Sequence, residues 1–89
     1  MRHARFKPRS LRDLKQVKRR GWNEEKFYEI LGILMRDGRL PSRCRPHKLS
    51  GLYAGLWECH IEHDWLLVYD LTEHEVIIYR TGTHEELFG

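Results

Sequence analysis

The chain has 89 residues, 40% of them hydrophobic and 33% charged, with a net charge of +3. A chain this short buries only about 60–65% of its unfolded surface, so residues 1–89 are expected to form a single domain with one modest core. Ten aromatic residues and charges of both signs exclude a disordered polyelectrolyte.

The charge is unevenly divided. Residues 1–48 hold fifteen Lys/Arg and five Asp/Glu, whereas residues 49–89 hold Arg80 alone against eight Asp/Glu. A basic half of this kind suits nucleic acid or an acidic protein segment, although solvated helix faces give the same composition. No apolar run is long enough to span a bilayer and no signal-like segment follows Met1, so a cytoplasmic protein without membrane contact is expected. Cys44 and Cys59 are then expected as thiols. Cys44, between Arg43 and Arg45, is a candidate for activation by charge, and Cys59 for the core.

In chain order, Ala4-Arg5-Phe6 suits a short strand ended by Pro8. Ser10 and Asp13 form an S-x-x-D helix start, after which Leu11, Leu14 and Val17 mark an apolar face. Arg12, Lys15, Lys18, Arg19 and Arg20 make the opposite face basic, and Gly21 stops the helix. Asn23 caps a second helix with Glu24 and Glu25 in its first turn. Phe27, Ile30, Leu31 and Leu34 follow its apolar period, and Gly38 ends it. Residues 39–55 read as irregular, with room for a short edge strand.

The period then becomes two. Along 56–63, Trp57, Cys59 and Ile61 face one way and Glu58, His60 and Glu62 the other. Residues 65–71 are apolar on both faces, as in a central strand. Residues 76–81 form a last strand broken by Gly82, and Thr83 with Glu86 offers a capping box for a helical turn ending at Leu87-Phe88. The expected fold is α+β, in the order β-α-α-β-β-β plus that terminal turn. A helical hairpin covers one face of a largely antiparallel sheet, leaving the other face free for function.

Six histidines exceed what packing needs. Cleaving an RNA phosphodiester requires a base for the 2′-OH, an acid for the departing 5′-oxygen and a cation for the charge on phosphorus. His47, His60 and His84 are candidates for acid and base, Arg80 for the cation, and Glu58 or Asp64 for orienting a histidine. Arg80 close to His84 favours His84 as base; Glu58 and Glu62 flanking His60 favour it as acid. The H-x-x-H spacing of His60 and His63 suggests a zinc site, but two residues three apart in a strand face opposite ways, so no metal or other cofactor is expected.

Three motifs in order carry a resemblance: His47-Lys48-Leu49-x-Gly51; Trp57-Glu58-x-His60-Ile61-x-x-Asp64-Trp65-Leu66-Leu67-x-Tyr69; and Arg80-Thr81-Gly82-Thr83-His84-x-x-Leu87-Phe88-Gly89. Together they resemble the YafQ branch of the RelE toxin superfamily, closely over the second half of the chain and in pattern only over the helical hairpin. The resemblance implies a RelE-like fold and a toxin that cuts messenger RNA in the A site of the 70S ribosome and is silenced by a cognate antitoxin. It implies metal-free attack by the 2′-oxygen, leaving a cyclic phosphate and a 5′-hydroxyl. By motif position His47, His60, Asp64, His84 and Arg80 are implied as catalytic, and Phe88 as a terminal aromatic needed for activity, placed to stack on a base.

Lys48, Glu58 and Trp65 are further candidates for contact with RNA. Lys15, Lys18, Arg19 and Arg20 are candidates for ribosomal RNA phosphates or, alternatively, for an acidic antitoxin segment. Two positions depart from the family pattern: Glu58 stands where Asp is found, and His63 where Pro or another turn-former is common. Two other readings compete. A non-catalytic toxin on the same scaffold, as in the gyrase-binding ParE branch, has no need of this histidine set. A simple RNA-binding domain leaves the acidic half unused.

Overall fold

The computed structural model describes residues 1–89. Strand β1 (His3–Phe6) leads into helices α1 (Pro8–Arg19) and α2 (Glu24–Arg36); β2 (His47–Lys48), β3 (Trp57–Glu62), β4 (Trp65–Leu71), β5 (Glu75–Gly82) and helix α3 (His84–Phe88) follow. The irregular stretch contains two single 3₁₀ turns, Ser42–Cys44 and Gly51–Tyr53. The sheet order is β1-β5-β4-β3-β2, with β1 parallel to β5 and every other pair antiparallel. This is the expected α+β order, with β4 at the centre.

Local chemistry explains most of the elements. The Asn23 side chain accepts from the Glu25 N–H at 3.0 Å and so caps α2. Phe27, Ile30, Leu31 and Leu34 are all buried against the sheet. Burying each stabilises the fold by about 1.5–3 kcal/mol. Gly21 and Gly38 take positive φ just beyond the two helices, as a chain leaving a helix requires.

Helix α1 departs from expectation. It begins at Pro8, which suits the first turn because its missing N–H would be unpaired there anyway. Ser10 is therefore inside the helix, not its cap, and its hydroxyl donates to the Lys7 carbonyl at 2.7 Å. The buried face runs Ser10, Asp13 and Val17, while Leu11 is half exposed. A carboxylate thus sits where an apolar face was expected.

The free sheet face also needs correction. The helices cover the face that carries Cys59, Trp65, Leu67, Tyr69, Val76 and Ile78. On the opposite face Leu66, Val68 and Leu87 form a second, smaller cluster with Leu49, Tyr53, Leu56 and Tyr79 beside it. Helix α3 and the loop before β3 thus give the functional face an apolar floor.

Two register shifts decide which side chains stand on that floor. His60 pairs with Leu66 but Glu62 with Trp65, so one extra residue is inserted and Glu62 turns to the helical side. There it pairs with Lys26 of α2, not with His60 as alternation had suggested. Val68 pairs with Arg80 but Tyr69 with Ile78, and the extra residue here brings Arg80 onto the Val68 face, away from the core face of Ile78.

Candidate active site

Strand pairing aligns the site. His47, Glu58, Val68 and Arg80 are direct partners across β2, β3, β4 and β5, and His60, Leu66 and Gly82 form the next row. Directly paired residues share a face, so the row brings His47, Glu58 and Arg80 together. His84 follows Gly82 at the start of α3.

Glu58 is buried at 3% exposure, an unusual place for a carboxylate. Its Oε1 lies 3.3 Å from His47 Nε2 and 4.0 Å from His60 Nε2. It lies between two histidines and is too enclosed to contact RNA itself. His47 Nδ1 donates to the Arg45 carbonyl at 3.0 Å. Both nitrogens of His47 therefore face acceptor oxygens, Nδ1 the Arg45 carbonyl and Nε2 the Glu58 carboxylate.

On the other side of the floor, Arg80 is held from behind. Its Nε donates to Asp13 Oδ2 at 2.8 Å and its Nη2 to Asp13 Oδ1 at 3.3 Å, and the Thr81 N–H reaches Asp13 Oδ2 at 3.1 Å. The carboxylate raises the Arg80 pKa above its ordinary value, chiefly through these hydrogen bonds. Arg80 Nη1 remains on the site side, where it donates to the Tyr53 hydroxyl at 3.4 Å. The Tyr53 ring meets Phe88 edge-on at 5.7 Å, and Phe88 packs on the His84 ring at 5.4 Å. Phe88 keeps 40% exposure, enough to offer a ring face to a base.

Asp64 accepts the His84 N–H at 2.9 Å, so it anchors the start of α3 from the β3–β4 turn. The bond fixes the backbone of His84 relative to that turn. The Thr83 capping box is complete, and Glu86 also pairs with Arg20. That pairing holds the Glu86 carboxyl at about 2, well below the ordinary range, with the Arg20 hydrogen bonds as the largest cause.

A depressed carboxyl stabilises the fold fully above its unfolded value, and the contribution is lost as pH falls through the folded value. The melting temperature should therefore fall between about pH 4.5 and 2 more in the wild type than in R20A. Parallel curves would show that Glu86 and Arg20 do not support α3.

Several candidates stand apart from the site. Trp65 is 3% exposed, with its Nε1 donating to Thr81 Oγ1 at 2.8 Å and its ring 5.1 Å from Trp22; it is core and not a stacking platform for RNA. Lys48 pairs opposite Trp57 and lies over that ring at 5.6 Å, on the face away from His47. Arg20 is tied to Glu86 and lies over Trp22, whereas Lys15, Lys18 and Arg19 remain exposed and free of ion pairs. Arg80 directs its hydrogen bonds to Asp13 and Tyr53 and makes none with His84, so its expected influence on His84 has no hydrogen bond behind it.

Cys44 is buried, and burial pushes its thiol up despite Arg43 alongside, which removes the case for an activated cysteine. No three His, Cys, Asp or Glu side chains converge to hold a metal ion. Asp13, Arg45 and Tyr53 were not among the candidates. Asp13 imitates a helix-start residue, and Tyr53 and Arg45 lie in an aperiodic loop that carries no pattern to read.

Known proteins share this fold. The chain is 34% identical over 79 residues to the mRNA interferase toxin YafQ of Escherichia coli K12, covering 88% of this chain and 86% of that protein. The crystal structure of YafQ from E. coli strain BL21(DE3) superposes with a TM-score of 0.93 at 29% identity over 100% of both chains. The toxin of the E. coli DinJ–YafQ toxin–antitoxin complex does so with a TM-score of 0.90 at 31% identity, over 99% of this chain and 98% of that one. Residues 2–89 match the family described as the bacterial toxin of type II toxin-antitoxin system, YafQ, and the chain belongs to that family.

Proposed function

We propose that this protein is a ribosome-dependent mRNA interferase, an endoribonuclease that cuts translated message and is neutralised by a cognate antitoxin. The observation that carries this reading is the paired row of His47, Glu58 and Arg80, with His60 beside it and His84 and Phe88 at its end. A buried carboxylate between two histidines, facing a guanidinium across an apolar floor, suits proton transfer next to a phosphodiester.

His84 takes the proton from the 2′-OH. It enters no ion pair, and the bare nitrogen of a neutral imidazole can accept that proton. The 2′-oxygen attacks phosphorus, and Arg80, kept in place by Asp13, stabilises the charge that develops there. The histidine pair on Glu58 protonates the departing 5′-oxygen, leaving a 2′,3′-cyclic phosphate and a 5′-hydroxyl. Phe88 packs on a base and steadies the nucleotide. Lys15, Lys18 and Arg19 engage ribosomal RNA phosphates, and the ribosome holds the message in the bent form that lets the 2′-oxygen approach in line. The DinJ complex of the E. coli relative supports an antitoxin as partner, and the action on translated message assigns the protein to the cytoplasm.

Incubation with programmed ribosomes, followed by mapping of message ends, tests this directly. Cuts at the A-site codon with 5′-hydroxyl ends are expected, with H84A slower by about 10²–10⁴-fold. Intact message with unimpaired translation would instead favour a non-catalytic binding module.

A further inference from the structure

Arg45 has an unusual backbone for its residue type. Its φ of 47° and ψ of 53° lie in the left-handed region, where it is the one residue other than glycine with positive φ. It also precedes Pro46, which disfavours helical conformations of either hand at the residue before it. Glycine would occupy this position without the Cβ clash, so the turn alone does not explain an arginine here.

Its side chain gives the reason. The guanidinium is exposed and enters no ion pair with a carboxylate. Instead Nη2 lies 3.2 Å from His60 Nδ1. Arginine can only donate and does not lose its proton. That bond therefore forms only when His60 Nδ1 is bare, which puts the ring proton on Nε2, the nitrogen nearer Glu58. The same Nδ1 lies 3.3 Å from the His63 carbonyl, which can only accept and so requires an N–H there. The two partners are mutually exclusive. Meanwhile the Arg45 carbonyl accepts from His47 Nδ1.

From these contacts we infer that Arg45 is a positioning residue: its guanidinium, competing with the His63 carbonyl, selects which nitrogen of His60 carries the proton. Its left-handed backbone turns its carbonyl toward His47 at the same time. Arg45 thus acts on both histidines that share Glu58. The consequence for cleavage rests on the nuclease reading above, whereas the placement of the ring proton does not.

R45G separates these roles, because glycine keeps the turn and its carbonyl while removing the guanidinium. The melting temperature of R45G should equal or exceed that of the wild type. In ¹⁵N spectra of the histidine rings, wild-type His60 should show a bare Nδ1 and a protonated Nε2. In R45G the proton should move to Nδ1, facing the His63 carbonyl. Cleavage on ribosomes should fall by about tenfold or more, in kcat rather than KM, because a proton on the wrong nitrogen stops acid–base catalysis. R45K, which retains a cationic donor, should restore much of the wild-type pattern and rate.

An unchanged His60 pattern in R45G would overturn the assignment, as would a changed pattern with an unchanged rate. The spectra need no RNA. If the wild type failed to cut, that result would count against the nuclease reading, and the spectra would still decide the role of Arg45.

Discussion

Asp13→Ala should destabilise the folded chain by about 3–5 kcal/mol, the usual cost of leaving one member of a buried ion pair unpartnered. The Arg80 and Asp13 side chains are only 13% and 9% exposed, so water cannot replace the lost carboxylate. The Thr81 N–H loses its partner as well. Against a total stability of about 5–15 kcal/mol, this is a large fraction. Urea denaturation should show the midpoint falling with little change in slope. The double variant D13A/R80M should recover much of the loss, since it leaves no charge stranded. It should nevertheless be inactive, because the cation proposed to act at phosphorus is gone. A D13A loss below about 1 kcal/mol would mean that Arg80 finds another partner.

Glu58→Gln is expected to dissociate activity from stability. The amide keeps the size of the side chain and one acceptor oxygen, but it removes the charge shared by His47 and His60. Cleavage should fall by about 10²-fold, near the lower end of what a positioned acid contributes. Stability should change by no more than about 1 kcal/mol, because relief from burying a carboxylate offsets the weakened contacts. Adding H47A to E58Q should cost little more, since both lesions disable one proton-transfer group. Wild-type cleavage by E58Q would remove Glu58 from the mechanism and leave His84 as the principal proton carrier.

Both predictions concern residues whose importance is unevenly visible in the chain. Glu58, His60 and the cross-sheet candidates His47 and Arg80 could be singled out because their chemistry is written in residue type and motif. Their convergence follows from pairing partners that are distant in sequence: His47 lies opposite Glu58, and Arg80 opposite Val68. The basic face of α1 was also visible, but Arg20 left it for Glu86, a residue 66 positions away. Trp65 alternates with Leu67 and Tyr69, a pattern shared by core and stacking roles alike; only its burial and its bond to Thr81 decide between them.

What the amino-acid order determined by itself was local. The Asn23 cap, the apolar period of α2, the doubly apolar β4 and the Thr83 capping box each depend on interactions within a few residues, and each formed as expected. The tertiary structure alone decided where α1 turns its carboxylate, which way Glu62 and Arg80 face, and which partners Arg45 and Tyr53 take. A one-residue insertion in a strand reverses the face of everything beyond it. Such insertions are set by pairing with a neighbouring strand, and the local period of two carries no record of them.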